Sequence, residues 1–499
     1  MKRWLLGLTF SLLATSLQTH SVASFATESP VGNRVQFMNR ALGPGKVAVQ
    51  VGVTSIGGFY ESTLPSPDSP NFTAVFPQCS GGNFGNCVEA VEYRSSDSES
   101  WKLGTLPAEQ LPISSRISLT YTDGRQPHKA GILQENQAKG IPAGAASVLV
   151  RLPGAKHAGG DTYLVSVLYS TFPSGINQTP IDFRLELLPV NYHPNKARYT
   201  TESGILTSDA YLDYFEFPLN IEYRITTRLG VAASKISTFF AGRINAPNIL
   251  IDGQKLIVSG KPETYSIAQT KTLEFSQLTQ PQKNLFGNMG KYVLDGGVVQ
   301  MIGFRGEQDF VDFALWEEHL SEVAKSTAWN LNSTFNPGDC KTSGLSGFIS
   351  SNALIFSEGA PTWNQETKSL IYRMASTHLD SNGNVNTGNL DLALSPDLIK
   401  CLWGESSSLL SAAEVSVSEG SSDKQSITTM NLRGGWVYIN VRDFTFSAPT
   451  AAIKLKFKER SVVTSKAPKF TYKCVKGKLS RAVSPKTGTC PKGYKLVKS

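Results

Sequence analysis

Apolar residues recur at every second position along much of this 499-residue chain. Val47, Val49, Val51 and Val53 alternate with Ala48, Gln50 and Gly52. The same spacing carries Ile117, Leu119 and Tyr121; Val148, Val150 and Leu152; Tyr163, Val165, Val167 and Tyr169; and Ile181, Phe183, Leu185 and Leu187. Successive Cβ atoms of an extended backbone point to opposite sides, so each set lays its apolar side chains on one strand face. Asp252-Gly253, between Ile249-Leu250-Ile251 and Leu256-Ile257-Val258, marks a hairpin. Ile453, Leu455 and Phe457 oppose Lys454, Lys456 and Lys458, the pattern of an edge strand guarded by charge. One segment fits two readings. Phe310, Phe313, Ala314, Leu320, Val323 and Ala324 form a helical stripe, whereas Val311, Phe313 and Leu315 alternate like a strand. The expected fold class is all-β, with two or three tandem β-sandwich-like domains plus a short basic tail clipped by a disulfide.

The start of the chain reads as an export signal. Lys2 and Arg3 precede an apolar run from Leu5 to Leu17 that is too short to span a bilayer. Ser21-Val22-Ala23 then sets small residues at the −3 and −1 positions of a signal peptidase site. A chain of this length exceeds one hydrophobic core. The expected division is a signal peptide over 1–23, an N-terminal β domain over 24–195, a central β domain over 196–325, a C-terminal β-sandwich-like domain over 326–460 and a basic tail over 461–499. No later apolar run is long enough for a transmembrane segment, so the expected location is extracellular or cell-wall associated.

Export makes the cysteines informative. Cys79, Cys87, Cys340, Cys401, Cys474 and Cys490 all follow the signal, and their number is even. In an oxidising compartment six such residues read as three bridges, with fifteen possible connectivities. The expected pairs are neighbours: Cys79–Cys87, Cys340–Cys401 and Cys474–Cys490. Zinc is disfavoured, because no C-x-x-C occurs and no His stands near a Cys at ligand spacing.

The net charge of +8 is unevenly spread. Lys2 and Arg3 hold two of the positive charges. Residues 461–499 hold ten cations and no acid: Lys466, Lys469, Lys473, Lys476, Lys478, Arg481, Lys486, Lys492, Lys495 and Lys498. The stretch 24–460 is therefore net −4. An acidic body with a basic tail points to a local electrostatic device, not to a globally basic binder of nucleic acid.

Signatures of chemistry are sparse. There is no G-x-S-x-G, H-E-x-x-H, P-loop or G-x-G-x-x-G. Ser421-x-x-Lys424, Ser350-x-Asn352 and Lys486-Thr487-Gly488 imitate penicillin-binding motifs, but their order along the chain is wrong. His157 and Asp161, in His157-Ala158-Gly159-Gly160-Asp161, are the catalytic candidates, since a carboxylate can orient and tune an imidazole. The competing reading is a Gly-rich turn. Asp380, Asn382 and Asn384 are metal candidates, with oxygen ligands at alternate positions, but Val385 stands where an EF-hand needs Gly. A long hairpin turn competes with it. Asp213 and Glu216 flank aromatics that could stack on a sugar, yet in a strand the two would face apart.

Cys474-Val475-Lys476-Gly477-Lys478 and Cys490-Pro491-Lys492-Gly493-Tyr494 resemble the terminal motif of many secreted actinobacterial proteins. Leu152-Pro153-Gly154-Ala155-Lys156-His157-Ala158-Gly159-Gly160, Phe239-Phe240-Ala241-Gly242-Arg243-Ile244, Asp397-Leu398-Ile399-Lys400-Cys401-Leu402-Trp403 and the run from Gly434-Gly435-Trp436 to Phe444-Thr445-Phe446 resemble one family of uncharacterised proteins among them. Arg481 and Ala482 stand where that motif has lysines. The resemblance implies a compartment, not a reaction.

The expected function is a secreted or envelope-associated, non-enzymatic binding or structural protein. Its basic tail would anchor to anionic wall polymers, and Tyr472, Tyr494 and Leu496 would give that tail a minimal core. The alternative is a secreted polysaccharide hydrolase whose carboxylates are not identifiable from sequence. Expected partners are an anionic cell-wall polymer or an extracellular polysaccharide, with no nucleic acid and no cofactor.

Overall fold

The computed structural model describes residues 42, 44–52, 62, 72–79, 85–108, 110, 133–136, 141–171, 181–193, 212–232, 238–286, 297–301, 307–334, 337–342, 344–357, 360–419, 422–425, 427–446, 450–457, 472–483 and 490–498. The stretch 1–23, expected to be a signal peptide, lies outside them, as do Ser421, Lys466, Lys469 and Lys486. The architecture is mostly β, with an 18-stranded sheet system, a six-stranded sheet and a three-stranded sheet. The chain divides into two compact units, Met1–Lys456 and Phe457–Ser499. The segments 24–195, 196–325 and 326–460 contribute strands to the first unit together. Residue 325 falls inside the strand Leu320–Thr334, which pairs with Lys255–Thr270, Thr238–Asp252 and Ile181–Tyr192.

Two long strands organise the larger unit. Thr238–Asp252 begins against Leu320–Thr334 on one side and parallel to Leu345–Ser351 on the other. It then bulges between Asn245 and Asn248 and pairs with Lys255–Thr270. At the bulge Ala246 takes a positive φ of 50°, an uncommon conformation for a residue with a Cβ. Asp391 Oδ2 accepts from Ala246 N at 2.8 Å and so pins the bulge. Lys255–Thr270 behaves likewise. Its first half lies between Glu222–Leu229 and the outgoing strand, ending at the pair Pro262↔Ile244. From Glu263↔Ala328 onward it pairs with Leu320–Thr334. Pro262 suits the exchange, because it has no N–H to give to a ladder. Gly260, two residues earlier, is required by close approach: a Cβ there would lie 2.4 Å from Ile244 Cγ2.

Both faces of several strands are covered, which gives the sandwich-like packing. Tyr163, Val165, Val167 and Tyr169 join Phe183, Tyr223, Phe240, Trp329 and Phe348 in the main core. Leu164 of the same strand packs with Leu149, Leu188 and Val190 in a second cluster. A third cluster gathers Val47, Val49 and Val51 against Phe286, Phe313 and Trp316. Each such side chain, fully buried, stabilises by roughly 1.5–3 kcal/mol. Lys46–Val51 pairs along both edges, with Gly297–Met301 and with the strands around Gln269 and Leu273, and is buried from Val47 onward.

The ambiguous segment is both things in turn, a helix over Glu307–Trp316 and a strand from Leu320. The hairpin at Asp252 closes with Asp252↔Lys255, and Gly253 supplies the positive φ of 59°. The strand Thr450–Phe457 alternates as expected, with Ile453 buried and Lys454 exposed. It is an interior strand, not an edge, standing between Ser369–Ala375 and Leu410–Glu419.

All three disulfides join the expected neighbours, Cys79–Cys87, Cys340–Cys401 and Cys474–Cys490. Cys401 rides on the helix Pro396–Trp403. Ser395 caps this helix by accepting from Leu398 N at 3.2 Å, Pro396 begins it and Gly404 ends it with φ 73°.

The smaller unit is a three-stranded antiparallel sheet in the order Leu479–Val483, Tyr472–Lys476, Lys495–Lys498. Cys474 is fully buried. Leu496 is 46% exposed, so the expected apolar core of this unit does not include it, and the bridge runs from the buried Cys474 to a half-buried Cys490. Among the described residues no helix is long and apolar enough to cross a membrane.

Candidate functional site

Where the two long strands change partners, their backbones part and leave a polar cleft of about 430 Å³. Asn245 reaches it from the bulge, and Glu263, Thr264, Tyr265 and Ser266 from the exchange point of the neighbouring strand. Asn352 closes it from the end of Leu345–Ser351. Thr387 and Asn389 come from the start of Thr387–Leu394, and Asp380, Val385 and Asn386 from the preceding turn.

Glu263 is the unusual residue of this cleft. It is 2% exposed. Its Oε1 accepts from Asn389 Nδ2 at 3.1 Å and from Thr264 N at 3.1 Å. Its Oε2 is buried with no hydrogen-bond partner among the described residues. Burial pushes the carboxyl up to about 7; the nearby Asp391 adds to the rise, while the Asn389 bond and Arg243 oppose it.

The surroundings are held firmly. Asn389 and Asn352 interlock: Asn352 N donates to Asn389 Oδ1 at 3.0 Å, and Asn389 N donates to Asn352 Oδ1 at 2.8 Å. Asp391 is 1% exposed and accepts from Asn440 Nδ2 at 2.7 Å and from Arg442 at 2.5 Å. Arg243 donates to Ser351 O at 3.2 Å and stacks over Tyr265 at 4.0 Å and Phe356 at 4.8 Å. Glu322 accepts from Ser266 Oγ and from Ser381 N, which ties the 380–386 turn to the cleft wall.

The catalytic candidates separate. His157 and Asp161 share one turn, but Asp161 faces Arg151, accepting at 2.9 Å from Nε and 2.8 Å from Nη2. His157 Nδ1 accepts from Gly159 N at 3.1 Å, which leaves Nε2 to donate to Thr162 O at 2.8 Å. The imidazole packs edge-on to Tyr163 and against Phe215. Burial holds its pKa below the usual histidine range, despite the Thr162 bond and the Asp161 charge. Gly159 is explained by packing, since a Cβ there would lie 2.2 Å from the Phe215 ring, and Gly160 by its positive φ of 130°.

Asp380, Asn382 and Asn384 form a self-satisfied turn. Asp380 Oδ1 accepts from Asn382 N and Asn384 N, both at 2.8 Å, and Oδ2 from Asn384 Nδ2 at 3.2 Å. These bonds, the Asn384 N–H foremost, hold the Asp380 carboxyl below its ordinary range. Glu216 likewise accepts from Ser326 Oγ, Thr327 N and Thr327 Oγ1, and fastens its segment to Leu320–Thr334. Asp213 pairs with His193 at 2.5 Å.

In the smaller unit Lys473, Lys476, Lys478, Lys492 and Lys495 are exposed. The register Lys473↔Val497 and Val475↔Lys495 puts Lys473 and Lys495 on one face, and Lys476 on the other.

Residue types and spacings along the chain do not single out Glu263, Arg243 or Asp391. The available signal was a charge at a strand position flanked by apolar or β-forming residues, as in Leu390-Asp391-Leu392 and Gly242-Arg243-Ile244. Asn352, noticed only in a misplaced Ser350-x-Asn352, proves to line the cleft. Comparison with protein-family models gives no match, and comparison with curated proteins gives none either.

Proposed function

We propose that this is a secreted, envelope-associated, non-enzymatic binding protein whose C-terminal unit anchors it to an anionic wall polymer. The observation that carries the reading is the set of five exposed lysines, on the strands and turns of a small unit clipped by Cys474–Cys490, in a stretch with ten cations and no acid. Clustered cations on a polyanion release counterions, a gain that falls with salt. The Debye length is about 8 Å at physiological ionic strength, so lysines scattered along an extended chain would act separately. A bridged sheet gathers them and lowers the ordering cost of binding. Three disulfides and the resemblance to secreted actinobacterial proteins support the extracellular setting.

The test compares the full secreted chain with a variant ending at Arg460 for retention on isolated cell walls at low and high salt. The full chain is retained at low salt and released at high salt, while the short variant passes through. Equal retention of both chains, or retention indifferent to salt, defeats the anchor.

The hydrolase reading draws on one observation, the raised carboxyl of Glu263 in a cleft. Glycoside hydrolysis ordinarily takes a pair of carboxyl groups. The other acid lining this cleft, Asp380, already accepts three hydrogen bonds from its own turn. Binding is therefore the better-supported function.

A further inference from the structure

The larger unit holds a second feature that the basic tail does not use. We propose that the cleft at the strand exchange is a binding site for an uncharged, polyhydroxylated ligand of about one or two sugar rings, with Glu263 at its buried end.

Three observations carry this. The first is size and chemistry. The volume of about 430 Å³ lies within the range of small-molecule sites. The lining joins side-chain amides (Asn245, Asn352, Asn389) with hydroxyls (Thr264, Thr387) and two aromatic residues, Tyr265 and Phe446. Amides and hydroxyls both donate and accept, which matches a ligand rich in hydroxyl groups.

The second is the carboxyl. Oε1 of Glu263 accepts two N–H bonds, so when the group is neutral its proton sits on Oε2. Oε2 then becomes a buried O–H with no acceptor among the described residues, a costly state. A ligand oxygen supplies that acceptor, directly or through one bridging water.

The third is charge. Asp391 stands behind Glu263 and Asp380 stands at the wall, while Glu322 tethers the turn. Arg243 is engaged by Ser351 O and the Tyr265 ring. Among the described lining residues Lys325 is the only cation. Asp391 is paired with Arg442, and Arg243 and Lys325 offset Glu322 and Asp380, so the cleft has no excess charge of either sign and favours a neutral ligand. The site is independent of the lysine sheet, and each idea can fail alone.

The experiment titrates the full secreted chain with cellobiose, maltose and mannobiose, and with digalacturonic acid as the anionic control, followed by saturation-transfer NMR and calorimetry. At least one neutral disaccharide binds at millimolar concentration, and the anion binds more weakly. Asn245→Ala weakens that binding by about tenfold. Native binding falls as pH rises from about 6 to 8, as the Glu263 donor is lost, whereas Glu263→Gln, which keeps an N–H donor, binds without that pH dependence. Thermal unfolding of each variant confirms that it is folded, and Asn245→Ala, at a half-buried position, serves if Glu263→Gln does not fold. Failure of all three neutral sugars to bind, tighter binding of the anion, or indifference to the substitutions overturns the proposal.

Discussion

Asn389 Nδ2 meets Glu263 Oε1 at 3.1 Å and joins two segments more than a hundred residues apart, the exchange point of Lys255–Thr270 and the start of Thr387–Leu394. The bond fixes one carboxyl oxygen and leaves the other alone.

That relationship sets a pH dependence. A carboxyl whose folded pKa exceeds its unfolded value costs stability progressively as pH rises from the unfolded value through the folded one. For Glu263 the window runs from an ordinary 4.5 to about 7. Glu263→Gln removes this term. Relative to the native chain, the variant gains up to about 3 kcal/mol between pH 4 and pH 8. Urea unfolding across that range checks it, and parallel pH profiles for the two proteins contradict it.

Gly260→Ala tests the backbone approach at the exchange. Its new Cβ meets Ile244 Cγ2 at 2.4 Å and lies 3.0 Å from Asn245 O. Expected destabilisation exceeds about 2 kcal/mol, in the range of overpacked cores. Thermal melting measures it.

The bridges differ in the loops they close. Cys340–Cys401 spans 61 residues and Cys79–Cys87 spans 8. Chain entropy assigns about 4 kcal/mol to the first and about 2.5 to the second. Paired Cys→Ser replacements, followed by calorimetry, give the larger loss for Cys340–Cys401. Replacing Cys474 and Cys490 leaves the melting of the larger unit unchanged. Thiol titration of the unreduced, denatured protein finds no free thiol.

Ser395→Ala removes the N-cap of Pro396–Trp403, where the hydroxyl accepts from Leu398 N. The cost is about 1 kcal/mol. Because Cys401 belongs to this helix, the loss adds to that of the Cys340–Cys401 pair by less than the sum of the two, which a double-mutant cycle measures.

Much of the strand content was readable in advance. Tyr163 to Tyr169 alternate into one core, and Asp252-Gly253 marks a real hairpin. What alternation could not say is whether the other face is wet. Ala48 and Leu164 are as buried as their neighbours, and the side chains that cover Leu164, such as Leu188 and Leu212, lie far away in sequence. The helix–strand ambiguity at Phe310 had a physical basis, since the chain switches period at Trp316–Leu320. The cleft was hidden for a related reason: Asn245, Glu263, Asn352 and Asn389 belong to four segments that meet only where strands exchange partners. His157 and Asp161, adjacent in sequence, were the visible pair, but Arg151 across the hairpin competes successfully for the carboxylate.

The partner change of the two long strands bears on how the chain reaches its native state. Gln50 sits beside Gln269, 219 residues onward, and Phe240 pairs with Phe348. A topology so rich in distant pairings has high contact order, and its folding is slow because loop-closure entropy precedes the gain from each contact. Among the described residues a strand such as Lys46–Val51 has no local partner to occupy it in the meantime. It stays an open template until the segment around Gln269 has emerged, so the period of greatest aggregation risk for this protein is its synthesis, not its working life.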